Sequence, residues 1–70
     1  MAKITREITQ RLALSPKKYA VVWDDAWGTH VYDTYAMLLH ASRECDRLND
    51  VRRMRGLDPI YELAEIEGMT

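Results

Sequence analysis

Two adjacent carboxylates, Asp24 and Asp25, stand just ahead of Trp27 in the run Tyr19-Ala20-Val21-Val22-Trp23-Asp24-Asp25-Ala26-Trp27-Gly28-Thr29-His30-Val31-Tyr32. Neighbouring carboxylates can ligate a hard cation, but oxygen-ligand sites draw on several spaced positions. Asp33 is the only other acid close by. The plainer reading is a pair of solvated, turn-forming aspartates, which at an interface would select a basic partner surface. Trp27 carries two open readings. On a loop tip it would present the kind of side chain that dominates binding energies. Folded back, it would complete the core of a chain that needs every large side chain it has. Trp23, in mid-strand beside Val21, reads as core.

His30, His40 and Cys45 invite a metal or a thiol nucleophile. The spacing from His40 to Cys45 is not a zinc spacing, and no second cysteine exists. On a helix those two positions point about 140° apart, so a Cys-His pair is not formed either. Cys45 falls on an apolar stripe, where a thiol is usually inert. Arginines are more suggestive. Arg43, Arg47, Arg52, Arg53 and Arg55 lie along one predicted helix and could contact an acidic protein or a phosphate. They could equally serve the helix C-terminus, with Glu62, Glu65 and Glu67 of the tail folded back to meet them. Only Gly28, Gly56 and Gly68 are present, so no glycine-rich phosphate loop exists. No catalytic, cofactor-binding or metal-binding set emerges, and the expectation is a protein that is not an enzyme and carries no cofactor.

The elements that must position these residues belong to one small domain, residues 1–70. A chain this short buries only roughly 60% of its unfolded surface, so a partner or self-association is the expected source of added stability. Cys45 is the only cysteine, which excludes an internal disulfide and fits a reducing cytoplasm. No apolar run approaches the ~20 residues of a membrane span, and the N-terminus lacks the apolar core of a secretory signal. The net charge of −1 hides alternating blocks. Bases dominate residues 1–22 and 36–55, and acids dominate 23–35 and 56–70. Strong nucleic-acid binders show a basic excess, whereas alternating patches suit a protein surface that reads complementary charge.

Ile4, Ile8 and Leu12 recur every four residues, with Thr5 as a cap, and predict an N-terminal helix over 4–14. The same positions are all even-numbered and half-fit a strand, but Arg6 and Gln10 would interrupt its apolar face. Ser15-Pro16 ends the element. Strands over 18–24 and 29–32, joined by a turn with Gly28, predict an antiparallel hairpin. Asp33 or Thr34 would then cap a long amphipathic helix over 34–55, with Leu38, Ala41, Cys45, Leu48 and Val51 on its buried stripe and Gly56 at its end. Such a helix is about 33 Å long and overshoots a typical strand, so its distal half would pack on other helices or on another chain, as in a homodimer through this helix. Asp58-Pro59 opens a short C-terminal helix carrying Ile60, Leu63, Ala64 and Ile66. The predicted fold is α+β: helix, two-stranded hairpin, long helix, short helix.

The runs Lys18–Trp23 and Gly28–Thr34, with the helix ending Arg47-Leu48-Asn49, resemble small accessory proteins encoded by bacteriophages, over residues 18–49. That resemblance implies a cytoplasmic protein that binds and blocks a host protein such as a transcription, DNA-processing or CRISPR-defence component. The expected contact surface is the hairpin tip (Asp24, Asp25, Trp27) with the exposed helix arginines (Arg43, Arg47, Arg52, Arg53), acting by occlusion. The alternative is a nucleic-acid-binding regulator using Lys3, Arg6, Lys17, Lys18 and the same arginines.

Overall fold

A computed structural model of the chain describes residues 3–11 and 18–69. In chain order these form strands β1 (Ile4–Arg11), β2 (Tyr19–Asp25) and β3 (Gly28–Tyr35), helix α1 (Leu38–Met54) and strand β4 (Glu62–Met69). The strands make one mixed sheet in the order β1-β4-β2-β3. β1 runs parallel to β4, while β2 is antiparallel to both β4 and β3.

This arrangement overturns three of the predicted elements. The N-terminal helix is instead strand β1, whose register sets Arg6 beside Ala64 and Ile8 beside Ile66. The C-terminal helix is instead strand β4, lying between β1 and β2. The hairpin does not stand alone but forms half of the four-stranded sheet. Both misread segments have apolar residues at spacings compatible with either period. Pairing across some 60 residues decides between them, because it satisfies their main chains and buries the centre of β4 on both faces. Leu12 and Leu14, the rest of the first predicted stripe, lie outside the described residues.

Strand alternation splits the core into two clusters. On the face that carries α1, Val21 and Leu63 are buried against Ala41 and Cys45, with Tyr19, Tyr35, Leu48 and Tyr61 packed around them. On the opposite face Ala20, Val22, Ala64 and Ile66 are buried, with Ile8 against them. Partial burial pushes the Tyr35 phenol up to about 12.

α1 also differs from its prediction. It begins at Leu38, because β3 continues to pair through Thr34 and Tyr35 with Ala20 and Tyr19. The expected cap residue Asp33 accepts the Thr34 N–H at 2.8 Å within the strand. The helix faces the sheet with its small residues Ala41, Ser42 and Cys45, whereas Leu38 and Val51 stay exposed. Small side chains permit close approach, and the tyrosine rings fill the flanks. Its 17 residues span about 26 Å, matching the about 27 Å of an eight-residue strand. Gly56, at φ +75°, ends α1: its N–H bonds the Arg53 carbonyl and the Leu57 N–H bonds the Arg52 carbonyl, the pattern of a Schellman motif.

Asn49 fastens the end of α1 to the start of β4. Its Nδ2 donates to the Tyr61 carbonyl at 3.0 Å, and its Oδ1 accepts the Tyr61 N–H at 2.9 Å. The side-chain amide thus completes main-chain bonding just before the strand begins. Asn49→Ala is expected to destabilise by about 1–3 kcal/mol, since two partly buried groups lose their partner. Asp50→Ala, which removes only an exposed pair with Arg53, is expected to stay within about 1 kcal/mol. Urea denaturation of the two variants compares them directly.

Candidate functional site

The β2–β3 turn carries an exposed large side chain on a held main chain. Ala26 and Trp27 form its tip with negative φ, and Gly28 takes the positive φ of +124° that lets β3 begin. Asp25 holds the turn from two sides. Its Oδ1 accepts the Trp27 N–H at 2.7 Å, and its Oδ2 lies 2.7 Å from His30 Nε2. His30, with the Trp27 amide second, keeps this carboxyl below its ordinary range. The main chain of the tip is thereby fixed, while the Trp27 residue remains 89% exposed.

Below the tip, the sheet face opposite α1 carries a polar network with one residue from each strand, in sheet order. Arg6 of β1 donates through Nη1 to Glu62 Oε2 of β4 at 2.8 Å and to Asp24 Oδ2 of β2 at 2.7 Å. Its Nη2 donates to the Thr29 hydroxyl of β3 at 3.0 Å, and that hydroxyl donates on to Asp24 Oδ1 at 2.5 Å. Arg6 and then Thr29 hold the Asp24 carboxyl below its ordinary range, and the two carboxylates hold the guanidinium above its own. The arginine that seemed to forbid a strand is the residue that ties the tip-end of all four strands together.

On the α1 face an aromatic row backs the same end. Trp23 stacks on His30 at 5.2 Å between ring centroids and meets Tyr61 edge-on at 5.8 Å, and Tyr61 meets Tyr32 at 6.0 Å. Trp23 is thus half-buried among rings. α1 returns antiparallel to β3, so its C-terminal end, fixed to Tyr61, reaches the end of the sheet that bears the tip.

The helix arginines are distributed rather than gathered. Arg52 donates to the Asp58 carbonyl at 2.6 Å, and Arg53 pairs with Asp50 at 2.9 Å; both sit in the last turn, at the tip end. Arg47 pairs with Glu44, which raises its pKa, and Arg43 is exposed. Of the tail acids expected to meet these arginines, Glu62 pairs with Arg6 instead. Lys18 lies at the opposite end of β2 from the tip, and Lys17 lies outside the described residues. A groove of about 580 Å³ opens between α1 and β1, and its walls mix Lys3 and Arg53 with Asp46, Asp50 and Glu62. Cys45 is buried, and burial pushes its thiol pKa up. Among the described residues no three His, Cys, Asp or Glu gather to hold a metal ion. Also among them, no helix is long and apolar enough to cross a membrane.

The sequence reading assigned Arg6 to a nucleic-acid surface and Glu62 to the helix arginines, and gave Thr29 and Asn49 no role, whereas the structure joins Arg6, Glu62 and Thr29 in one network and sets Asn49 on Tyr61. The only available signal was Arg6 itself, a lone cation set between Ile4 and Ile8. No protein-family model, curated protein or solved structure matches the chain.

Carboxyls held below their ordinary range add stability that is present above about pH 4 and is lost as pH falls through their lowered pKa. Arg6→Met is therefore expected to lower stability at pH 7 and to flatten its decline between pH 5 and pH 2. Urea melts across that range test this; a variant whose acid decline is as steep as the wild type's would contradict the assignment.

Proposed function

We propose that this chain is a non-enzymatic binding module that acts stoichiometrically on another protein in the cytoplasm, with Trp27 as its anchor. The carrying observation is the 89% exposure of Trp27 on a turn whose main chain is held by Asp25. A small domain short of core gives up stabilisation by leaving an indole in water. A fixed turn that presents a large aromatic side chain is preorganised, so little ordering is left to be done on binding. Asp25 beneath the indole suits a partner pocket with a basic rim, while Asp24 is held by Arg6, and Arg52 and Arg53 at the same end can orient the complex at its edge.

The resemblance to bacteriophage accessory proteins supports the finer reading, that the partner is a host protein and the effect is occlusion. The nucleic-acid alternative has less support. Its basic side chains lie at both ends of the sheet, and Arg6 is consumed by the Asp24–Glu62 network.

Trp27→Ala is expected to leave stability within about 0.5 kcal/mol of the wild type while weakening partner binding by about 2 kcal/mol or more, roughly thirtyfold. Affinity capture from a bacterial lysate with wild-type and variant baits, followed by titration of the recovered partner, measures it. An unchanged affinity, or a large fall in melting temperature, would overturn the proposal.

A further inference from the structure

The rings below the turn pack on one another and still reach the surface. Trp23, His30 and Tyr61 are half-buried, and Tyr32 is 44% exposed. From His30 through Trp23 and Tyr61 to Tyr32 their centroids step by 5.2, 5.8 and 6.0 Å. Exposed carboxylates stand at both ends of this row. Asp25 lies against His30 at one end. Asp33 follows Tyr32 at the other, and its pairing with Val21 sets it on the α1 face as well. Residues 23–35 hold three acids and no base. From α1, Arg47 approaches Tyr32, and Glu44 already pairs with it.

We infer that this row receives an arginine-bearing extended segment of the protein partner, a reading that rests on the proposed function and names the chemistry of what is bound. Aromatic faces attract cations through their quadrupole, and carboxylates attract them by charge. A guanidinium fits both features, because its plane stacks on rings and its fork meets carboxylates. A lysine ammonium is a strongly hydrated point charge and matches the acids alone. The same acids repel phosphate, so the row does not suit a nucleic-acid strand. Along an extended segment, alternate side chains share one side at a spacing of about 6–7 Å, close to the ring steps of 5.8 and 6.0 Å. Arginines at alternate positions can therefore lie on successive rings, with Asp25 and Asp33 at the two ends of the run.

Titration of the full chain with a decapeptide of alternating arginine and glycine, followed by amide and ring chemical shifts, tests it. Shifts are expected at His30, Tyr32, Asp33 and Tyr61. The matching lysine peptide is expected to bind about fivefold more weakly, and a short single strand of DNA not to bind. Tyr32→Ala, which leaves the charge unchanged, is expected to weaken the arginine peptide about tenfold. Glu67→Gln, which removes an exposed acid of β4, is expected to leave it unchanged. No binding, shifts confined to other residues, a lysine peptide that binds as tightly, binding of the DNA strand, or an equal loss in the two variants would overturn the inference. Should Tyr32→Ala not fold, the wild-type shift map and the arginine-to-lysine ratio decide it. A captured partner that is lost with Trp27→Ala but keeps its affinity with Tyr32→Ala would overturn this inference and leave the proposed function standing.

Discussion

A strand with neighbours on both sides must satisfy its main chain toward each of them and bury both of its faces at once. β4 meets that constraint with the last described residues of the chain. Leu63 points to α1, while Ala64 and Ile66 point to the opposite face, and all three are buried. Its parallel pairing with β1 and antiparallel pairing with β2 join the N-terminal strand to the hairpin. Without β4, β1 would have no partner, and β2 and β3 would be an isolated hairpin, which is marginal in water. Asn49 places the start of this strand, and the Ile66 N–H bonding the Lys18 carbonyl at 2.7 Å holds it further along.

The Arg6 network follows from the same insertion. Only when β4 lies between β1 and β2 do Glu62 and Asp24 flank one guanidinium. The exchange works in both directions: the carboxylates make an arginine acceptable on a sheet face, and the arginine holds together the strand ends that carry the turn. Asp25 then fixes the turn itself. The main chain that presents the exposed indole thus rests on a chain of fixed contacts from β1 to the tip, so the turn is placed by the fold.

What could be read from the residues followed the range of the interactions involved. The β2–β3 turn was legible, because Gly28 and the aspartates act within a few positions, as does Gly56 at the end of α1. β1 and β4 were not. Ile4 and Ile8 are spaced by four, which suits a helix turn and two strand repeats alike, and Ile60, Leu63, Ala64 and Ile66 are as ambiguous. Their decisive partners lie across the chain, as the pairing of Arg6 with Glu62 shows. The start of α1 was set too early for a related reason: Asp33 and Thr34 have cap chemistry, but the ladder with Ala20 and Tyr19 keeps them extended. Of the proposed surface, Asp24, Asp25 and Trp27 were visible as a turn. The residues that hold them, Arg6 and Thr29, were visible only as a misplaced charge and an ordinary strand threonine.

Native-state amide exchange over the whole chain tests the central position of β4 most directly. Amides of Leu63–Ile66 are expected to exchange only through global unfolding, with the same opening free energy as the best-protected amides of β2. Helical chemical shifts across residues 58–68, or rapid exchange there while Tyr19–Val22 stays protected, would contradict it.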